Sequence, residues 1–218
     1  TVRGFKRSLG KQGLSNLYNA VADKGVTYAG ICAGAAFAAD KITYDILEDG
    51  KKTKLHGEGL NFFHGYARGP IKDIAGDRPF EDTINDIHVI DIIRTQSGVC
   101  HKAAYWSGPM LLPKERGVLN GVFQASAFLK GTEIPMSMVG SHGNGRVVLY
   151  AHHPEITAWN WRGWIHAPNP TDFQRAKLNA MDAYLTGESF DGFIQDLGLD
   201  HIKTQTKKAG GLNLSALL

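Results

Sequence analysis

The fold of this chain is decided by the stretch Val26-Thr27-Tyr28-Ala29-Gly30-Ile31-Cys32-Ala33-Gly34-Ala35-Ala36-Phe37-Ala38-Ala39. Its first part is a β-prone run that breaks at glycine, and its second part is a run of small residues that predicts a helix packed closely on a sheet. The segment from Gly30 to Gly34 is the cysteine form of G-x-S-x-G, in which the nucleophile occupies a tight strand-to-helix turn. The stretch therefore predicts a nucleophile elbow with Cys32 at its tip, where Gly30 and Gly34 leave room for neighbouring backbone.

The predicted turn suits a thiol. The N-terminus of the following helix favours an anion at this point, and the thiolate is the attacking form of cysteine. Ala33, the residue directly after Cys32, is the predicted backbone donor to an oxyanion. Cysteine is also among the most frequently buried residues, and in a segment rich in Ala and Gly it is commonly a packing residue. The pentapeptide alone leaves both interpretations open.

A second motif lies near residue 150. Gly143-Asn144-Gly145 predicts a turn, residues 146–151 predict an apolar strand, and His153 and Glu155 follow at the end of that strand. Residues just beyond the carboxyl ends of parallel strands converge at one edge of a sheet, so we expect Cys32 to meet His153 there. The three side chains supply a nucleophile, a base and a carboxylate that orients the imidazole.

These two motifs together resemble the class I glutamine amidotransferase family, which carries a G-x-C-x-G elbow and a late His-Pro-Glu at a strand end. Finer features at residues 28–35, 59–65 and 105–109 are most similar to the amidotransferase-like domain named for the N-terminal region of some biotin-protein ligases. The resemblance covers most of the chain up to about Thr186.

The resemblance implies a role for each matching residue. Cys32 is the implied nucleophile, His153 the base and Glu155 its orienting partner. His152 is the natural rival for the base, but the family pattern places the histidine directly before Pro-Glu, which selects His153.

The segment Tyr105-Trp106-Ser107-Gly108-Pro109 ends a predicted strand at a position where crevices form. The resemblance places it beside the nucleophile, so Trp106, Ser107 and Gly108 are candidate substrate-binding residues. Whether they bind substrate or only shape the wall of the site stays open from the sequence.

The order of predicted elements supports an α/β three-layer fold with a mainly parallel central sheet, and the resemblance implies the flavodoxin-like form of it. In the family, a strand and a glycine-rich loop precede the first helix, and neither is found here. We therefore expect either that the chain is the later part of a longer product or that another segment fills this space. The predicted domain spans residues 1–200, followed by a tail at 201–218.

The remaining pattern predicts short elements and one structured loop. The later strands are expected to pair in an antiparallel manner through glycine-containing turns. In chain order we predict a loop at 3–10, a helix at 14–22, a structured loop with short strand pieces at 55–70, strands at 87–93, 102–106, 118–129 and 134–142, and a helix at 171–185.

Composition excludes several classes of protein. The chain has 218 residues, 43% of them hydrophobic, and a formal net charge of +3, which predicts one globular domain with no nucleic-acid partner. It contains no apolar run long enough to cross a membrane. A cytoplasmic location is favoured, and a removed targeting peptide stays open.

Cofactor and disulfide chemistry find no support in the sequence. The two cysteines, Cys32 and Cys100, do not make a disulfide framework, and Cys100 is interpreted as structural. His56 and His64 are considered as metal ligands, but no other ligand lies at a suitable spacing, so no metal is predicted. No phosphate-binding glycine motif is present, and no cofactor is predicted.

The leading functional hypothesis is an amidotransferase- or amidase-like enzyme that forms a thioester on a small carboxamide or amino-acid-like substrate. A related peptidase activity fits the same residues. The alternative is a non-catalytic interaction or regulatory module with a protein partner, which the dense Trp159, Trp161 and Trp164 suggest. Biotin chemistry is not assigned, because no ligase segment is recognisable.

Overall fold

The computed structural model describes residues 2–114, 122–156, 175, 179 and 188–199. Its helices and strands follow one another along the chain in this order: α1 (Val2–Ala22), β1 (Tyr28–Ile31), α2 (Ala33–Ala38), β2 (Ala39–Glu48), β3 (Lys51–Glu58), β4 (Phe63–Gly69), α3 (Lys72–Ala75), a 3₁₀ turn (Ile84–Asp86), β5 (Ile87–Arg94), β6 (Cys100–Trp106), β7 (Met110–Pro113), β8 (Phe123–Leu129), β9 (Pro135–His142), β10 (Gly145–Tyr150) and α4 (Glu188–Asp196).

The strands form two mixed sheets. A six-stranded sheet has the order β1-β10-β9-β8-β5-β6, and a four-stranded sheet has the order β3-β2-β4-β7. Among these strands, the pairs β1–β10 and β2–β4 are parallel and all other neighbours are antiparallel. The predicted mainly parallel, three-layer flavodoxin-like sheet is therefore wrong.

The lengths of the connections explain this difference. Asp49-Gly50 alone joins β2 to β3, with φ angles of 51° and 72°, and Gly143-Asn144 joins β9 to β10. Parallel neighbours need a crossover of about a dozen residues or more, whereas two-residue turns of this kind join antiparallel strands. The Asp-Gly turn is a sequence signal for a hairpin that our interpretation overlooked.

Two predicted loops are also regular structure. Residues 3–10 lie within α1, which is broken at Gly10, where φ is 60° and ψ is −177°. Most of residues 55–70 belongs to β3 and β4, and along β4 buried and exposed residues alternate without exception. The antiparallel pairing of the later strands β8, β9 and β10 is confirmed.

Several predictions fall on parts of the chain outside the described residues. These are the Trp159–Trp164 segment, most of the helix at 171–185 and the tail at 201–218. None of the helices in the described part of the chain has the length and apolar character needed to span a bilayer.

Strand β10 is buried on both faces, which fixes its position inside the molecule. Val147 and Leu149 pack in the core formed with α1 and α2, whereas Val148 and Tyr150 pack with Phe193 of α4 on the other face. This alternation follows from the two-residue period of a strand. The residues that follow β10 are therefore delivered to the interior.

The six-stranded sheet curls so that β6, at its far edge, meets the segment after β10. His153 forms an isolated antiparallel bridge with Ala104, and its backbone N–H donates to the Ala104 carbonyl at 2.7 Å. The carboxyl end of β1 already lies beside that of β10, because Ile31 pairs with Tyr150. The ends of β1, β6 and β10 consequently converge on one place.

Helix α4 is fastened to the sheet by a buried polar cluster. Arg94 donates to both carboxylate oxygens of Asp196, at 2.9 and 2.8 Å, and the hydroxyls of Tyr150 and Ser126 donate to the same carboxylate. Burial raises the pKa of Asp196, but the hydrogen bonds from these donors lower it by a larger amount. The pKa of Asp196 therefore lies below its ordinary value. The cluster holds α4 against the face of the sheet opposite to α2.

Candidate active site

Cys32 occupies the sharp turn between β1 and α2. Its φ is 51° and its ψ is −108°, a conformation that non-glycine residues rarely adopt and that costs on the order of 1–3 kcal/mol. Its backbone N–H nevertheless continues the strand pairing by donating to the Tyr150 carbonyl at 2.8 Å. The surrounding backbone thus holds the cysteine in a strained position at the end of the parallel pair.

Close backbone approach explains one of the two flanking glycines. A Cβ at Gly30 would lie 2.7 Å from the carbonyl oxygen of Gly34, which is too close. A Cβ at Gly34 would meet only the Tyr28 hydroxyl, at 3.9 Å. The geometry therefore requires glycine at residue 30, while at residue 34 there is space for a side chain.

His153 and Glu155 form a close pair behind this turn. The Nδ1 atom of His153 lies 2.6 Å from Oε1 of Glu155. Burial lowers the pKa of His153, but the Cys32 thiol and the Glu155 carboxylate raise it by more, to about 10. At neutral pH the imidazole is therefore held in its charged form.

The Cys32 side chain raises the pKa of His153 through a hydrogen bond and through its charge, and its thiol also has a backbone partner. It donates to the backbone carbonyl of Trp106, with 3.4 Å between sulfur and oxygen. The second ring nitrogen of His153, Nε2, is shielded from solvent and makes no hydrogen bond of regular geometry with the described residues. Nε2 of His153 thus lies in the site beside Cys32 without a hydrogen bond of regular geometry to the described residues.

His152 is held on the opposite side. It is fully buried, with Nδ1 3.0 Å from the Met136 carbonyl and Nε2 3.0 Å from the Ser189 hydroxyl. Because a carbonyl only accepts, Nδ1 carries the proton and Nε2 accepts from the hydroxyl. Burial lowers the pKa of His152 to about 3, so this residue is neutral and both its nitrogens are occupied.

The turn after β6 forms another wall of the site. Ser107 is buried and has a φ of 51°, and a Cβ at Gly108 would lie 1.7 Å from the carbonyl oxygen of Ala151. The glycine thus allows the turn to press against the chain just before His153. Trp106 and Ser107 face the cavity, whereas Gly108 packs behind it.

A cavity of about 590 Å³ lies in front of these residues. It is lined by five of the predicted site residues: Cys32, Ala33, Trp106, Ser107 and His153. Glu155 lies behind His153. Gly30, Gly34 and Gly108 shape the backbone around the site and do not line it. Within the described residues, no cluster of three or more His, Cys, Asp or Glu could hold a metal ion.

Sequence reasoning missed the rest of the cavity wall, most of which comes from β2, β3 and the segment before the 3₁₀ turn, with Val2 of α1 and Ala36 of α2. Tyr44 lines the cavity close to the cysteine: burial raises its pKa well above the ordinary value, and the Cys32 thiol adds to this effect. The alternation of Ile42, Tyr44 and Ile46 at every second position was the available signal for a strand with one face turned inward.

Comparison with known proteins gives a match to the first third of the chain. Residues 3–73 match the family model described as Biotin-protein ligase, N terminal. The predicted resemblance to that domain is thereby confirmed. The matched region runs from α1 through β4 into α3 and contains the Cys32 elbow, whereas His153 and Glu155 lie outside it. Neither the curated proteins nor the solved structures that were searched gave a match to this chain.

Proposed function

We propose that this protein is a cysteine-dependent amidase or amidotransferase-like enzyme that acts on a carboxamide. The observation that carries the proposal is the strained Cys32, placed at the end of β1 in one cavity with His153, which β10 delivers from the parallel neighbouring strand. A nucleophile on a strained turn beside a histidine that a carboxylate orients is the arrangement that covalent acyl transfer requires.

The proposed reaction begins with attack of the Cys32 thiolate on the carboxamide carbon. The carbon–nitrogen bond breaks, the leaving amine takes a proton from the His153 imidazolium, and a thioester remains on the sulfur. Water or an amine then attacks the thioester while His153 accepts its proton; the carbon–sulfur bond breaks, which releases the acyl product and restores the starting thiolate and imidazolium. Glu155 keeps Nδ1 of the imidazole oriented throughout.

The developing oxyanion needs hydrogen-bond donors close to Cys32. The first backbone N–H groups of an α-helix have no partner within the helix, and Ala33 is the first residue of α2. Its amide is the proposed donor, and Ala33 also lines the cavity. Tyr44 brings a neutral phenol to the same wall and is a further candidate donor.

A non-catalytic interaction module is the second candidate. It is favoured by the hydrogen bond that the Cys32 thiol donates to the Trp106 carbonyl, because a thiol is a weaker nucleophile than a thiolate. In this case the strained turn would serve packing alone, and Cys32 would react as an ordinary, partly buried thiol.

Alkylation by iodoacetamide separates these two candidates. Cys100 is exposed and free, so it provides an internal control in the same sample, read by peptide mass spectrometry. We expect Cys32 to react about tenfold faster than Cys100 near pH 6.5, since a catalytic nucleophile beside its base is more reactive than a free side chain of the same type. His153→Ala should remove this advantage.

One outcome of this experiment would contradict the enzyme proposal. If Cys32 reacts more slowly than Cys100 and the rate is unchanged in His153→Ala, the enzyme proposal fails and the non-catalytic module stands. A positive result leads to a screen of carboxamides for ammonia release, with Cys32→Ala as the inactive reference.

A further inference from the structure

The cavity in front of Cys32 has two chemically different parts. Its polar groups lie in two places: Ser107 and His153 beside the cysteine, and Glu81 and Asp82 beside Phe80. The remaining wall consists mainly of large apolar side chains from the four-stranded sheet and the segment that crosses its end: Ile42, Tyr44, Ile46, Leu47, Leu55 and Phe80. A volume of about 590 Å³ falls within the usual range for small-molecule sites.

The apolar wall is held in a fixed shape. The backbone of Phe80 is pinned to β2 by two hydrogen bonds, one to Asp45 at 2.8 Å and one from Leu47 at 2.9 Å. The following residues are ordered by the buried carboxylate of Asp86, which accepts from the N–H groups of Glu81 and Thr83 at 3.1 and 3.0 Å. These hydrogen bonds therefore fix the backbone that carries Phe80 and the residues directly after it.

Charges at the Phe80 side of the cavity are negative. Glu81 and Asp82 line the cavity next to Phe80, and the described lining residues include neither lysine nor arginine. Moving a charged group into apolar surroundings without a partner is unfavourable, and a second carboxylate here would also be repelled. Among the described residues, this end of the cavity therefore offers no cationic partner to a carboxylate that lies far from the reacting carbon of a substrate.

We infer that the acyl group accepted by this site is an aliphatic chain without a carboxylate at its far end, so that free glutamine is a poor ligand. The inference rests on the proposed function in treating the cavity as the acyl-binding site of Cys32. The carboxamide lies at the thiol, and its hydrocarbon chain extends along Ile42, Ile46 and Phe80.

Binding to the full chain carrying Cys32→Ala tests this inference without any chemistry. Isothermal titration is carried out with butanamide, pentanamide, hexanamide, adipamic acid and L-glutamine. We expect the affinity to rise about fourfold with each methylene from butanamide to hexanamide, as burial of apolar surface predicts. Adipamic acid, whose far end is a carboxylate, and L-glutamine should bind at least about tenfold more weakly than hexanamide.

Three variants test where the bound chain lies. Ile46→Phe in the same background narrows the cavity and should weaken hexanamide more than butanamide. Val99→Phe makes an equally large change at an exposed position outside the cavity and should weaken neither. Asp82→Asn should strengthen binding of adipamic acid and leave hexanamide unchanged, because only the charged ligand is repelled.

Affinity that is independent of chain length, or L-glutamine binding as tightly as hexanamide, overturns the inference. An unchanged affinity for hexanamide in Ile46→Phe does the same, and if that variant does not fold, the ligand series alone decides. These results are separate from the alkylation experiment, which uses a small reagent on the native thiol. An unreactive Cys32 with length-dependent amide binding would defeat the proposed function alone, and the reverse pattern would defeat only the aliphatic substrate class.

Discussion

The two neighbouring histidines after β10 lie in opposite environments. His152 faces α4, where Met136 and Ser189 occupy both its nitrogens and its pKa falls to about 3. His153 faces the cavity, where Cys32 and Glu155 raise its pKa to about 10 and Nε2 has no regular partner among the described residues. Two adjacent residues thus have pKa values shifted in opposite directions from the ordinary value.

The two sides of this segment differ in how completely their polar groups are hydrogen-bonded. On the α4 side, Arg94, Asp196, Tyr150 and Ser126 satisfy one another in a buried cluster. On the cavity side, Cys32 has a strained backbone conformation. The shielded Nε2 of His153 makes no hydrogen bond of regular geometry with the described residues. Strain and unsatisfied polar groups of this kind are typical of functional sites.

The largest expected effect separates the two histidines by activity. His153→Ala should reduce turnover of a carboxamide by about 10²–10⁴-fold, because it removes the proposed acid and base. His152→Asn, measured on its folded fraction, should keep the rate within a few fold of the parent. Equal losses in the two variants would contradict the assignment of chemistry to the cavity side alone.

The next largest effect concerns stability and lies on the α4 side. Asp196→Ala should lower the free energy of unfolding by about 3–5 kcal/mol, since it leaves the buried guanidinium of Arg94 without its carboxylate. Gln195→Ala, at an exposed position of the same helix, is the matched control and should change it by less than about 0.5 kcal/mol. Urea denaturation measures both. A loss below 1 kcal/mol for Asp196→Ala would show that the cluster is not holding α4.

The last prediction concerns the pH dependence of folding stability, to which the two histidines contribute in opposite pH ranges. The pKa of His152 is depressed in the folded state, so its contribution to stability is present above about pH 6.5 and is lost as the pH falls towards 3. The pKa of His153 is raised, so its contribution is present below about pH 6.5 and is lost as the pH rises through 10.

NMR titration of the two imidazoles checks these directions. Cys32→Ala and Glu155→Gln should each lower the pKa of His153 and leave that of His152 unchanged. A His153 pKa near the ordinary value in the parent protein would show that neither neighbour holds the imidazolium.

Local patterns in the sequence predicted the neighbourhood of Cys32 better than they predicted the sheet. The elbow strand, the turn at Cys32 and the helix of small residues all occur, because glycine and small side chains restrict the backbone within a few residues. The expected meeting of Cys32 and His153 also occurs, since it needs only the one parallel pair β1–β10. Their catalytic roles stay predictions.

The sheet was predicted wrongly because strand direction depends on the connections. The elbow favoured a parallel sheet by analogy, whereas the turns Asp49-Gly50 and Gly143-Asn144 make antiparallel hairpins. The curling that brings Ala104 to His153, and the packing of β2 over the site, depend on contacts between distant segments. No local pattern contains that information, so the apolar cavity wall could not be found from the sequence.

The pairing of β1 with β10 also determines when the site can form during synthesis. Asp23 and Asn144, which flank these strands and hydrogen-bond to each other, are 121 residues apart in sequence. Contacts of such long range close late, because the loop between them must first be ordered. While the chain is being made, Cys32 therefore emerges well before His153, and the newly made thiol lacks both the strained turn and the imidazolium on which the proposed mechanism depends. The proposed reaction therefore requires molecules in which β10 has been completed.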